Sequence, residues 1–224
     1  VVTLRGIYDI KKERCDLARE NGIYAYPSFE AVLSDPAVDF ITIATPNEWH
    51  KPLSIAALRA GKHVISEKPV TLTVADLKEI IAVANECGRL FTAHQNRRWD
   101  CDYQMVREAY HSGKLGKITS VESRYQGSRG IPGDWRGKKE HGGGMIYDWG
   151  IHLIDQIFGI VDDRRIQKVY CRCDHITNDE VDDGFKLDLY FEGDLTARVE
   201  VGTTNFIALP RFYITGTDGS GCVA

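Results

Sequence analysis

Hydrophobic positions along the chain follow two rhythms, and the change between them falls near Asn96. Before it, short apolar runs alternate with stretches in which apolar residues recur every three or four positions. VVTLRGIYD reads as a strand ending at Asp9, and KKERCDLAREN as a helix with Leu17 and Ala18 on its apolar face and Gly22 as its stop. SFEAVLSD is a short helix with Ser28 as N-cap. VDFITIATP is a continuous apolar run closed by Pro46, the pattern of a strand buried on both faces of a parallel sheet. HKPLSIAALRAG reads as an amphipathic helix closed by Gly61 and HVIS as a short strand. Thr73 and Asp76 form a capping-box-like pair that opens the helix VADLKEIIAVANECG, and LFTAH is one more strand. Strands alternating with helices at this spacing predict right-handed βαβ units and a parallel sheet.

After Asn96 the strands run together. A helix at 101–112 leads into the strand KITSVESRYQG and then a loop rich in glycine and charge, GSRGIPGDWRGKKEHGGG. The helix MIYDWGIHLIDQIFG follows, and after it IQKVYCRCD, DGFKLDLYF, LTARVEVGTT and RFYITGT read as strands with no helix between them. The predicted architecture is therefore an α/β, Rossmann-type parallel sheet over residues 1–96, followed by an α+β domain with a mostly antiparallel sheet over residues 97–224.

Composition narrows the function classes. The 224 residues are 43% hydrophobic and 27% charged, as in a soluble globular protein. A formal net charge of -4, with basic residues scattered rather than clustered, gives no electrostatic case for a nucleic-acid or membrane-surface partner. No apolar run approaches the roughly 20 residues of a membrane span. Six cysteines show no CxxC spacing; Cys171 and Cys173 are two apart, on one face of a strand, with no second Cys/His cluster. The expectation is no metal site, and buried or half-buried reduced thiols in a cytoplasmic protein.

A sheet of this type that binds a dinucleotide carries G-x-G-x-x-G between its first strand and helix, with an acid about 20 residues further on. Asp9 at its strand tip is placed to be that acid; on local grounds, capping the following helix is an equal reading. Only eight residues precede Asp9, and GTDGSG near the carboxyl end lies in no βαβ context. Without its first strand such a sheet leaves two inner edges unpaired, so the pattern predicts a piece of a longer chain, with the first βα unit missing.

Two constellations carry candidate chemistry. Glu67-Lys68-Pro69 follows a short apolar strand, which puts Lys68 at the carboxyl edge of the sheet. A lysine there can donate to a substrate oxygen, Glu67 can accept from ribose hydroxyls, and Pro69 admits a cis peptide bond. Ordinary surface charge at a strand end is the competing reading. In GGGMIYDWGIHLID, helical spacing puts Asp148, His152 and Asp155 on one face. Metal binding, a hydrogen-bonded packing pair, or His152 as general base with Asp148 orienting a hydroxyl all fit that stripe.

Glu67-Lys68-Pro69, ATPNEWH at 44–50, NRRW at 96–99, DWR at 134–136 and GGGMIYDWGIHLID occur in this order over essentially the whole chain. Together they resemble the Gfo/Idh/MocA family, the glucose-fructose oxidoreductase and inositol dehydrogenase type of NAD(P)-dependent enzymes. What departs is the glycine-rich first βα unit and the last strands of the second domain. The resemblance implies Lys68, Asp148 and His152 as the catalytic set, with His152 taking the proton as hydride leaves the same carbon. It implies Thr45, Pro46, Asn47 and His50 along the adenosine and pyrophosphate, Glu67 and Asn96 near the nicotinamide ribose and ring, and Trp135 and Arg136 as a cover. Asp9 would favour NAD, while Lys11 and Lys12 keep NADP open. The implied substrate is a sugar, cyclitol or related polyol, and the implied assembly a homo-oligomer, dimer or tetramer, paired through the outer face of the second sheet. NAD-dependent glycoside cleavage and a non-catalytic sensor are the alternatives within the same resemblance.

Overall fold

The computed structural model describes residues 2–224, which form two compact units. The first runs to Thr45 and resumes over Trp49–His94; the second is Pro46–Glu48 with Gln95–Ala224. In the first unit, α1 (Lys12–Glu20) and α2 (Phe29–Ser34) precede β1 (Phe40–Ile43), α3 (His50–Arg59), β2 (His63–Ser66), α4 (Val74–Cys87) and β3 (Phe91–Ala93). The three strands pair in parallel and in chain order. Both predicted caps are made: Ser28 Oγ accepts from the Ala31 N–H at 3.2 Å and Thr73 Oγ1 from the Asp76 N–H at 3.1 Å. Ile43 and Val64 of the strands pack with Ala57 and Leu58 of α3 and Ile80, Val83 and Ala84 of α4. Full burial of Leu58 or Ile80 contributes about 1.5–3 kcal/mol each.

Two expectations for this unit are corrected. In VVTLRGIYD the described residues 2–9 form no ladder; they make one parallel bridge, Ile7 to Ala25. Ile7 donates to the Tyr24 carbonyl and accepts from Tyr26, both at 2.8 Å, while Val2 and Leu4 are exposed. A strand needs a neighbour along its length, and among the described residues the pairing is confined to Ile7 with residues 24–26. FITI is also not buried on both faces: α3 and α4 cover Ile41 and Ile43, and Phe40 and Thr42 are exposed.

The second unit orders α5 (Cys101–His111), β4 (Ile118–Gln126), α6 (Ile151–Ile160), β5 (Ile166–Asp174), β6 (Gly184–Phe191), β7 (Leu195–Gly202), β8 (Phe212–Gly216) and β9 (Ser220–Val223). They form one six-stranded sheet, β5-β6-β7-β4-β8-β9, in which only β4 and β7 run parallel. Alternate residues of β6 and β7 face inward, so Phe185, Leu187, Val199 and Val201 meet Leu153, Ile157 and Ile160, which recur at helical spacing along α6. GTDGSG belongs to the β8–β9 hairpin, with the Gly216 N–H on the Gly219 carbonyl at 2.9 Å. The thiol expectation is corrected too: Cys101, Cys171, Cys173 and Cys222 are exposed. β5 is an edge strand with nearly every residue exposed, so both of its thiols reach solvent. Among the described residues no helix is long and apolar enough to cross a membrane.

Candidate active site

Parallel pairing brings the carboxyl ends of β1, β2 and β3 to one edge, where α/β sheets bind ligands. Thr45 follows β1, and its Oγ1 is buried without a hydrogen-bond partner. Glu67 and Lys68 follow β2, both half-buried, and the Lys68–Pro69 peptide is cis. Beyond β3, His94 Nδ1 lies 2.6 Å from Glu67 Oε1. His50 is 1% exposed, with Nδ1 at 2.7 Å from the Pro69 carbonyl and Nε2 at 2.9 Å from the Thr45 carbonyl. Both ring nitrogens are engaged by backbone, so His50 braces the loops after β1 and β2 together. Asp9 accepts from the Lys11 N–H at 2.8 Å and from Arg14 Nη1 at 3.1 Å, which ties its carboxylate to the start of α1.

In the second unit, the turn Pro46–Glu48 is held to the glycine-rich loop at two points. The buried Asn47 amide donates to the Gly142 carbonyl at 2.8 Å, and Glu48 Oε1 lies 2.6 Å from His141 Nδ1. A Cβ on Gly143 would collide with the Arg136 carbonyl, which explains a glycine there. Asp182 pins the following segment, accepting from the Met145 N–H on its carbonyl at 3.0 Å and from the Ile146 N–H on Oδ2 at 2.8 Å. Burial pushes the Asp182 carboxyl above the ordinary range, against the pull of those backbone donors.

Ile146–Gly150 forms a single π-helical turn before α6, a device that recurs at functional sites. It breaks the α-helical register assumed for the Asp148, His152 and Asp155 stripe. Asp155 is instead held bidentately by Arg98, at 2.8 and 2.6 Å. Asp148, 14% exposed, faces Arg136 Nε at 3.2 Å. Arg136 also pairs with Asp134 at 2.7 Å and stacks its guanidinium over Trp135 at 4.6 Å. Two residues inferred for different roles, Asp148 and Arg136, are thus direct partners.

His152 is 6% exposed, and its Nδ1 lies 2.5 Å from Gln95 Oε1. Gln95 was not singled out from the sequence; it immediately precedes NRRW, and that segment works as a strap along α6. Arg97 offers its carbonyl to Gln156 Nε2 at 2.7 Å and Arg98 grips Asp155, while Asn96 is exposed in the 3₁₀ turn Asn96–Trp99. Trp149 is sandwiched between the Arg97 guanidinium at 4.3 Å and the Tyr125 ring at 3.3 Å, with His152 against its edge at 6.1 Å.

Gly150 joins the π turn to α6 where the backbone touches the sheet, and a Cβ there would sit 2.8 Å from two ring carbons of the fully buried Phe185. Gly150→Ala is expected to destabilise the protein by about 1–3 kcal/mol through overpacking, although alanine is intrinsically the better helix former. Urea unfolding checks this, and a variant as stable as the parent would show that Phe185 can move aside.

Comparison with known proteins agrees with the two folds. Residues 2–95 match the model of an oxidoreductase family with an NAD-binding Rossmann fold, and residues 103–221 match the GFO/IDH/MocA C-terminal domain. An NAD-binding protein from Listeria innocua has 49% sequence identity and a TM-score of 0.95, over 97% of this chain and 64% of its own. The scyllo-inositol 2-dehydrogenase (NADP(+)) IolW of Bacillus subtilis is 32% identical over 85% of this chain and 53% of its own length. The 1,5-anhydro-D-fructose reductase of Ensifer adhaerens is 30% identical over 91% and 62% respectively. The chain thus spans between half and two thirds of the length of these relatives. With both unit folds matched in order, the chain belongs to the GFO/IDH/MocA family of oxidoreductases.

Proposed function

We propose that the chain belongs to an NAD(P)-dependent oxidoreductase acting on a sugar, cyclitol or related polyol, with Lys68, Asp148 and His152 as its catalytic set. The observation that carries this reading is the buried His152 imidazole, one π-helical turn from the ion-paired Asp148 carboxylate. A buried histidine suits proton transfer from a substrate hydroxyl. Lys68 donates to the reacting oxygen, Asp148 orients the substrate hydroxyl, and His152 accepts its proton. The names of the two relatives, a cyclitol dehydrogenase and an anhydro-sugar reductase, support the substrate class.

The carboxyl edge of the parallel sheet fits a nicotinamide dinucleotide, because the buried Thr45 Oγ1 there is a polar atom in want of a partner. Thr45, Pro46, Asn47, Glu67, Asn96, Trp135 and Arg136 would hold it, and Asp9 favours NAD over NADP because a carboxylate repels a 2′-phosphate. NAD(P), when bound, supplies the hydride acceptor. The reducing, cytoplasmic setting is supported by the free cysteines. Reduction of NAD⁺ or NADP⁺ by a panel of polyols, followed at the nicotinamide absorbance in the complete protein, tests the reading. Glycoside cleavage that needs NAD⁺ but leaves no net NADH would replace it with the hydrolytic alternative.

A homo-oligomer is part of the proposal, paired through the outer face of the six-stranded sheet. Tyr170, Tyr190 and Tyr213 are exposed on that face beside the Asp188–Arg198 pair at 2.7 Å. Sedimentation is expected to give a dimer or tetramer mass, and a monomer at micromolar concentration counts against that contact.

A further inference from the structure

We infer that Gln95 is a positioning residue that fixes which nitrogen of His152 carries the proton. This rests on the reading of His152 as the residue that takes the hydroxyl proton. A glutamine amide has one end that only accepts and one that only donates. Gln95 Nε2 lies 3.4 Å from the Ile151 carbonyl, which can only accept, and this orients the amide with Oε1 2.5 Å from His152 Nδ1. Facing an oxygen, Nδ1 must be the donor, so the imidazole carries its proton on Nδ1 and its lone pair on Nε2. Nε2 is then the proton-accepting atom. At 6% exposure the ring has little water to make this choice in place of Gln95.

The strap keeps Gln95 in place. Arg98 grips Asp155 with two hydrogen bonds, and Gln156 holds the Arg97 carbonyl at 2.7 Å, so the segment carrying Gln95 is fixed along α6 through Arg97 and Arg98. The choice of an amide matters chemically. A carboxylate in this position would stabilise the imidazolium and hold the proton on the ring, whereas a neutral amide orients the ring and leaves it able to pass the proton on.

The imidazole ¹⁵N resonances of His152, identified by their loss in His152→Asn, read the tautomer directly and need no substrate. The parent is expected to show protonated Nδ1 and unprotonated Nε2. Gln95→Met, which keeps the length but removes the acceptor, should release the Nε2–H form, and Gln95→Glu, which keeps an acceptor oxygen, should retain the proton on Nδ1. In the complete protein, Gln95→Met should lower kcat roughly 10²-fold with KM within about threefold, the scale of a lost general base. An unchanged tautomer in Gln95→Met overturns the inference. So does a shifted tautomer with parental kcat while His152→Ala is inactive. Parental turnover in His152→Ala sinks the functional reading instead, and the substrate-free tautomer signal tells the two failures apart.

Discussion

Replacing His152 with alanine is expected to lower kcat for polyol oxidation by roughly 10²- to 10⁴-fold, or about 2.7–5.5 kcal/mol of barrier. In the proposed role the loss falls on kcat, because the ring would act on a proton that moves only as the carbon–oxygen bond order changes. Lys68→Ala should lose activity on the same scale, since a donor to the reacting oxygen acts where charge develops. The two effects should be far from additive if both residues serve one step. Steady-state kinetics of both single variants and the double variant in the complete protein give the answer. Near-ultraviolet circular dichroism serves as the check that the buried imidazole was not needed for folding. Turnover within threefold of the parent in either single variant would remove that residue from the catalytic set.

Arg211→Met is expected to be the most destabilising of the changes considered, at about 2–4 kcal/mol. Arg211 lies beneath α6 and makes three connections at once. Its Nη1 donates to Ser123 on β4 at 2.6 Å, its Nη2 to Gln156 on α6 at 2.6 Å, and its Nε faces Asp102 on α5 at 3.7 Å. Ser123 and Gln156 are fully buried, so methionine in its place leaves two acceptors without water. Burial pushes the guanidinium down to about 10, opposed by Asp102, which leaves it charged at neutral pH. A lone buried cation would be a liability; with these partners it joins helix, helix and sheet. Because Gln156 lies one turn beyond His152, the same substitution should loosen α6 and, under the proposed function, lower activity in the surviving folded protein. Urea denaturation measures the first effect. A double-mutant cycle with Gln156→Leu should show a coupling of about 0.5–3 kcal/mol, because the second change removes an acceptor that the first had stranded. Additivity would mean that Arg211 and Gln156 do not act as a pair.

Much of the fold was legible because it is encoded locally. The helices of the first unit follow from apolar positions at helical spacing, and the caps at Ser28 and Thr73 depend on neighbours three residues away. The run of strands after residue 165 follows from period-two burial, seen in β6 and β7. Lys68, Asp148 and His152 could be singled out because charged or titratable residues interrupt apolar segments, and interruptions are visible in one dimension. Local rules reach a few residues along the chain, and these features lie within that reach.

What the sequence alone determined is therefore the order and kind of most elements, the caps, and the residues able to do chemistry. What only the tertiary structure decided is how those residues are held. Whether residues 2–9 form a ladder depends on what lies beside them, not on their own apolar character. The π turn at Ile146–Gly150 goes with Asp182 gripping its start and Phe185 touching Gly150, contacts from more than thirty residues away. Gln95 meets His152 across 57 positions of sequence, with no periodicity to announce it. Burial patterns report which face of an element is covered; the partner of a single side chain is set by the packing of distant segments, and that exists only in the folded chain.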